Sequence, residues 1–328
     1  MAKLLEELPW HAENRQLLQG ARESGRLPHA ILITGAEGLG KHRFGIRLAA
    51  SLLCQTPSEG GEPCGRCKGC HLFQVETHPD YRRIEPEEPG KAIKVDAIRE
   101  FTARESLTSQ AGGFKVAIIE PADALNIAAA NSLLKTLEEP VEWTIMILIS
   151  SHPNRLPATI LSRCRRYHFT IPEQSQAVGW LSQQGVATDP QLLLALTSGS
   201  PLAALELSDP ALLAERKKML DEFTAILNRR EDPVAVAARW DKLPLTRTLY
   251  WFCGWIVDMI RLRAVAGTVD VINLDQRKRF HSLARELDSK GLFYLLDRTY
   301  DAIRLSGTQL NTQMLLEGLL MTACRRDG

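Results

Sequence analysis

Two groups of residues in this chain have types and spacings suited to chemistry. The first is Gly35-Ala-Glu-Gly38-Leu-Gly40-Lys41-His42, which follows the apolar run Ile31-Leu32-Ile33 after Thr34. Its pattern is G-x-x-x-x-G-K, in which flexible glycines let backbone amides close around a phosphate and the lysine reaches the outer phosphates. Working versions of this loop place Ser or Thr after the lysine, with a hydroxyl that holds Mg²⁺; here the residue is His42. An imidazole is bulkier and is a poor ligand for that hard ion. Hydrolysis also needs an acid for the metal and a second carboxylate for the attacking water, both at the end of a later strand. The segment in that place is Val116-Ala-Ile-Ile-Glu120-Pro121-Ala-Asp123. Glu120 could still carry charge to Mg²⁺, but Pro121 cannot polarise a water. The expectation is a degenerate loop: Gly35, Gly38, Gly40 and Lys41 keep weak nucleotide binding or none, and ATP is not hydrolysed.

The second group is Cys54, Cys64, Cys67 and Cys70, spaced C-x₉-C-x₂-C-x₂-C. Two-residue gaps let a tight turn aim successive thiolates at one ion, and Gly65 and Gly69 supply backbone freedom. Four thiolates fill a tetrahedral shell and leave no position for a substrate. The set therefore suits a structural Zn²⁺, although another metal or an iron–sulfur cluster is compatible with it. Cys164, Cys253 and Cys324 are isolated and read as space-fillers. Ser162-Arg163-Cys164, before Arg165-Arg166, reads on its own as a solvated basic turn.

These residues need elements to hold them. Residues 3–22 read as a helix interrupted near Pro9, and Leu27-Pro28-His29 leads into a strand at 30–34. A helix follows from Lys41 to Leu53, with Phe44, Leu48 and Leu52 at four-residue spacing. After the Gly/Pro/Cys-rich insert, strands are expected at 81–84, 115–119, 143–150 and 167–170. Helices are expected at 95–108, 122–139 and 156–162; Pro140 ends the second by pushing its predecessor out of the helical region. Strands alternating with helices imply a mostly parallel sheet covered on both faces. Beyond Pro172 no strand is expected. Short helices over 173–208 give way to a long helical region in which Phe252, Ile256, Met259 and Ile260 form an apolar stripe. The expected domains are 1–171 with the metal module at 54–71, 172–209, and 210–328.

Composition narrows the function. The 328 residues suffice for two or three cores. Forty Lys+Arg oppose 39 Asp+Glu, a balance unlike that of an independent nucleic-acid binder. The N-terminus, Met-Ala-Lys-Leu-Leu-Glu-Glu-Leu, lacks a signal-peptide core. The apolar run Leu249–Val257 is too short to span a bilayer. Seven cysteines without a secretory signal read as thiols or metal ligands. A cytoplasmic protein is expected, without a membrane partner.

Together the pieces resemble the delta-prime subunits of the bacterial DNA polymerase III clamp loader. These AAA+ proteins are related to gamma/tau and to replication factor C. The resemblance rests on Leu27-Pro28-His29-Ala30, the loop remnant, the cysteine insert, Thr77-His78-Pro79-Asp80-Tyr81, Asn131-Ser-Leu-Leu-Lys-Thr-Leu-Glu-Glu-Pro140 and Ser162-Arg163-Cys164. It covers about residues 1–205; the C-terminal third matches only in being helical. It implies an α/β AAA+ domain with a zinc-binding insert, a small helical lid and an all-α collar that joins four other subunits in a hetero-pentamer. Implied partners are gamma/tau-like motor subunits, a delta-like subunit, and, through the complex, the sliding clamp and primed DNA. The resemblance also implies that Arg163 acts in trans, as an arginine finger on ATP held by a neighbour. ATP-hydrolysing members carry a lid arginine after Gly-Ser; this chain reads Gly199-Ser200-Pro201-Leu202. His42, Pro121 and Leu202 together imply a non-hydrolysing stator, a subunit of a polymerase holoenzyme without catalysis of its own. The rival readings are an active gamma-like ATPase and a zinc-dependent DNA-binding module using Arg66 and Lys68.

Overall fold

The computed structural model describes residues 6–88, 90–105, 109, 111–265, 269–306 and 311–324. The chain forms two compact units, Met1–Gln176 and Ala177–Gly328.

The first unit is built on five parallel strands: β1 (Ala30–Gly35), β2 (Tyr81–Ile84), β3 (Lys115–Ile119), β4 (Thr144–Ser150) and β5 (Arg165–Phe169). Their order is β2-β3-β4-β1-β5. Strands β1, β3 and β4 are buried along their whole length, as expected for strands covered on both faces. Side chains alternate between the faces. Ile31, Ile33, Val116, Ile118, Ile145 and Ile147 enter one core; Leu32, Ala117, Ile119, Met146 and Leu148 enter the other. Helices α1 (Ala12–Glu23), α2 (Lys41–Leu53) and α3 (Lys68–Gln74) supply Leu18, Phe44, Leu52 and Phe73 to the first core. Helices α4 (Val95–Glu105), α5 (Ile127–Glu138) and α6 (Ala158–Leu161) supply Ile98, Leu133 and Ile160 to the second. The edge strand β5 exposes Arg165, Arg166 and His168 while burying Tyr167 and Phe169.

Several local features differ from the sequence reading: the helix expected over 3–22 begins at Ala12 after a 3-10 turn at Pro9–His11, the strand expected over 167–170 is Arg165–Phe169, and the helix expected over 156–162 is Ala158–Leu161. The helix expected over 122–139 is broken: a single 3-10 turn, Ala122–Ala124, precedes α5. Between them the chain pairs with Ile93 through Ile93 N–H to Ala124 O (2.8 Å) and Asn126 N–H to Ile93 O (3.2 Å). Asn126 then caps α5 by accepting the Ala129 amide at 2.7 Å. The insert is not irregular throughout, because α3 starts inside it. Finally, β4 begins at Thr144, since Trp143 has φ +63°, a conformation outside the extended region.

The second unit is helical. It contains most of α7 (Gln174–Gln183), then α8 (Pro190–Leu196), α9 (Pro201–Leu207), α10 (Pro210–Leu227), α11 (Pro233–Trp240), α12 (Leu245–Ala264), α13 (Arg277–Glu286), α14 (Ser289–Leu305) and α15 (Thr312–Cys324). Asp189, Asp209 and Asp232 cap α8, α10 and α11 by accepting amides two residues on, and each helix begins with proline. Phe223, Trp240, Phe252 and Trp255 form the aromatic centre, with ring centroids 5.0–6.3 Å apart. Of the expected stripe, Phe252, Ile256 and Met259 are buried and Ile260 is half-buried. Among the described residues no helix is long and apolar enough to cross a membrane.

Candidate functional site

The glycine loop sits where β1 turns into α2. Gly35, Gly38 and Gly40 have φ of +144°, +74° and +81°, values that exclude most other residues. The N-terminal segment lies on this loop. Leu8 is fully buried, and a Cβ on Gly40 would stand 2.4 Å from its Cδ1. Trp10 Nε1 donates to the Leu39 carbonyl at 2.9 Å, and His11 Nε2 lies 2.8 Å from the same oxygen. Burial pulls the His11 pKa down to about 4, so its ring is neutral and Nε2 carries the donated proton. Lys41 is buried, and its ammonium donates to Ala36 O within the loop at 2.6 Å. Burial also lowers the Lys41 pKa.

The imidazole of His42 contacts the carboxylate of Glu120 directly. The residue placed where a hydroxyl should meet Mg²⁺ thus takes up the acid that should meet the same ion. Beyond β3, Asp123 accepts from Ser150 Oγ, which also receives the His152 amide at 3.0 Å; His152 Nδ1 is 3.6 Å from the other Asp123 oxygen. Ser150 and His152 had no motif to mark them. Their only sequence signal is polarity at the end of the apolar run that forms β4. Leu202 is the second residue of α9 and brings no charge where the lid arginine is implied.

Arg163 stands apart from this loop, in the turn between α6 and β5. Its guanidinium pairs with Glu138 at 2.6 Å and donates to Thr159 O at 3.0 Å and Ser162 Oγ at 3.3 Å. Two of the motifs that carried the resemblance, Lys-Thr-Leu-Glu-Glu and Ser-Arg-Cys, therefore touch. Neighbouring Cys164 is buried, which pushes its thiol up to about 11; it belongs to the core. Asp80 of Thr77-His-Pro-Asp-Tyr81 is also structural. It accepts from Ser109 Oγ at 3.0 Å and Ala111 N at 2.8 Å.

The four cysteines converge at the far end of α2. Cys54 follows its last residue, and Cys67 caps α3 by accepting the Cys70 amide at 3.3 Å. All four Sγ atoms lie within 4.8 Å of one another; Cys54–Cys67 are 3.9 Å apart and Cys64–Cys70 4.0 Å. A tetrahedron of thiolates about 2.3 Å from one zinc has edges of about 3.8 Å, so the donor set fits the ion in identity, number and spacing. The amides of Cys64 and Cys67 donate to Cys54 and Cys64 at 3.3 and 3.4 Å, and Thr56 Oγ1 donates to Cys64 at 3.3 Å. Such donors favour thiolate. Hydrogen bonds to its sulfur, from the Thr56 hydroxyl foremost and then from the Arg66 and Cys67 amides, bring Cys64 down to about 5, whereas burial pushes Cys70 up to about 12. No residue from 55 to 68 is buried, so hydrophobic packing does not hold this loop.

Comparison with known proteins completes the site. A family model described as DNA polymerase III, delta subunit matches residues 10–173, and one for that subunit's C-terminal region matches 210–323. The DNA polymerase III subunit delta' of Pseudomonas aeruginosa is 34% identical over 319 residues, 95% of this chain and 96% of that protein. The chain belongs to the delta-prime family of DNA polymerase III subunits. The Escherichia coli subunit delta' is 33% identical over 317 residues, 95% of this chain and 94% of its own length. The Escherichia coli subunit tau is 31% identical over 221 residues, 65% of this chain but 34% of the relative.

Proposed function

We propose that this chain is the delta-prime stator of a replicative clamp loader. It acts in DNA replication, helps to place the sliding clamp on primed DNA, and hydrolyses no ATP itself. Family membership supports the clamp-loader role. The observation that carries the non-hydrolysing part is the His42–Glu120 contact, seconded by Pro121 and Leu202. Cys54, Cys64, Cys67 and Cys70 hold one structural Zn²⁺, which ties residues 55–68 together in place of a hydrophobic core. Gly35, Gly38, Gly40 and Lys41 form a loop with weak nucleotide affinity or none. Arg163 serves ATP bound by an adjacent motor subunit, since a guanidinium stays charged and offers a fork of donors to phosphate. Residues 172–209 act as a lid and 210–328 as a collar. The collar joins gamma/tau-like motors and a delta-like subunit in a cytoplasmic hetero-pentamer.

Co-purification with candidate motor subunits, followed by mass measurement of the assembly, tests the role. A complex containing one copy of this chain is expected. The chain alone should show negligible ATP turnover. Restoring His42→Thr should not rescue it, because the group that activates water is also missing. A wild-type rate on the order of 1 s⁻¹ or faster, ordinary for an enzyme, would overturn the stator reading in favour of an active motor.

A further inference from the structure

The metal module and the nucleotide loop lie at opposite ends of α2, yet a cluster of charges joins them along its flank. The tight turn at 58–62 closes through Gly61 N–H to Ser58 O (2.8 Å) and Glu62 N–H to Ser58 Oγ (3.1 Å). It presents Gly61 O to the Ser51 hydroxyl and to Arg22 at 3.5 Å. It also presents the Glu62 carboxylate to Arg47 of α2, at 2.8 Å from Nε and 2.7 Å from Nη2, and to Arg15 of α1 at 3.7 Å. Glu62 lies two residues before the Cys64 ligand. The same two arginines hold a second carboxylate, Glu7, at 2.9 Å from Arg15 Nε and 3.3 Å from Arg47 Nη2. Glu7 immediately precedes Leu8, Trp10 and His11, the residues seated on Leu39 and Gly40. Two carboxylates from different segments thus share two guanidiniums.

We infer that metal occupancy of the cysteine module governs how firmly the N-terminal segment is latched over the Gly38–Lys41 loop, through Glu62, Arg47, Arg15 and Glu7. The inference rests on the reading of the four cysteines as a metal site. With the ion in place, residues 55–63 are fixed at both ends and Glu62 is held against Arg47. Without it, no side chain of residues 55–68 is itself buried, and the hydrogen bonds of Ser51 and Arg22 to Gly61 O are left to hold the turn. Glu62 drifts from the arginines, which become free to swing outward with Glu7, and the hold on Leu8, Trp10 and His11 slackens. The loop against which this segment packs, at Leu39 O and Gly40, then opens more often.

Hydrogen exchange of the full-length chain, read on peptides covering residues 7–11 and 36–42, tests the coupling. Zinc content is measured on the same samples. Removing zinc with a chelator should speed exchange at both peptides by roughly fivefold, as expected when a tie holding a local opening is lost. Glu62→Ala should produce the same acceleration while retaining one zinc per chain, and stripping zinc from that variant should add little. If the loop exchanges at the wild-type rate in zinc-loaded Glu62→Ala or in the stripped wild type, the coupling does not exist, whatever the metal does. A purified chain that binds no zinc would refute the metal site itself, and the coupling with it; the zinc assay separates that outcome from a failure of the linkage alone.

Discussion

Arg163 cannot be in two places. Its pair with Glu138 leaves the two side chains 34% and 50% exposed, and at such exposure an ion pair contributes at most about 1 kcal/mol. Releasing it is therefore inexpensive, and in the proposed role in trans Glu138 would be its resting partner. Arg163→Ala should leave folding, zinc content and assembly unchanged while lowering hydrolysis at the one motor subunit it faces. Arginines supplied in trans can be worth about 10³-fold or more, so clamp loading should slow visibly. Glu138→Gln frees the guanidinium and should not lower the rate. Wild-type DNA-stimulated ATPase in complexes reconstituted with Arg163→Ala would return the residue to the status of a surface ion pair. His11 makes a second prediction at this scale. Its folded pKa of about 4 lies below the ordinary 6.5, so between those values the unfolded chain binds more protons and stability rises with pH. The contribution is complete above about pH 6.5 and is lost as pH falls toward 4, amounting to roughly 3 kcal/mol over the window. His78 shifts the same way through burial, so the informative comparison is with His11→Gln. That variant should lose less thermal stability than wild type between pH 6.5 and 4.5; coincident slopes would remove His11 from the account.

At the scale of elements, the parallel sheet and the cysteine insert owe their order to different forces. The sheet is held by two apolar layers, whereas no side chain between 55 and 68 is buried. Cys67→Ser removes one thiolate of the proposed zinc set, while the serine hydroxyl can still accept the Cys70 amide and cap α3. It should abolish stoichiometric zinc and make 55–71 sensitive to protease while far-UV circular dichroism and the sheet persist. Zinc retained at one per chain in Cys67→Ser, or a disulfide among the four thiols in wild type, would contradict the assignment. The same division explains what the sequence made legible. Strands β1, β3 and β4 read plainly because burial on both faces demands near-continuous apolar runs, and α2 read plainly from its four-residue spacing. The break before α5 did not, because Ala122–Glu139 is helix-compatible residue by residue. The distant partner Ile93 draws Ala124 and Asn126 out of the helix, and the Asn126 side chain then starts α5 as its cap. Likewise α3 hid behind Gly69 and the cysteines, whose spacing was read for metal and not for a thiol capping a helix. In the candidate site, the glycine loop and the four thiols carried local patterns. The partners Glu138, Ser150, Trp10 and Glu62 lie far away in sequence, and no local pattern names what they meet, so only the fold reveals what they touch.

For the molecule as a whole, the stator reading requires a surface through which the second unit joins other subunits. Its helices α12 and α14 pack against each other, yet between them they leave large apolar groups outside. Tyr250, Phe293 and Tyr294 are each 54% exposed, and Tyr300 is 47% exposed. On α14, Phe293, Leu296, Tyr300 and Ile303 recur at three and four residues, the spacing of one helix face. Leu296 and Ile303 on that face are only half-buried. A solvent-facing aromatic stripe of this kind is unfavourable in a monomer and matches the composition of interface centres, which are enriched in Tyr and Phe. Arg298, Asp301 and Arg304 lie on the same helix, with Asp301 paired to both arginines, and provide a charged border. Phe293→Asp should therefore spare the fold, because the side chain has little interior contact to lose, and surface changes of this kind usually alter stability by no more than about 0.5 kcal/mol. It should nevertheless place a charge where a partner's apolar surface must be desolvated, weakening assembly by tenfold or more, since each 1.4 kcal/mol lost is a factor of ten. The measurement is co-purification of the variant with motor subunits alongside thermal melting of the free chain. A variant that melts like wild type but fails to join the complex places the collar contact on α14. A variant that melts normally and assembles with unchanged stoichiometry and affinity excludes this face, and the contact must then lie elsewhere on residues 210–328.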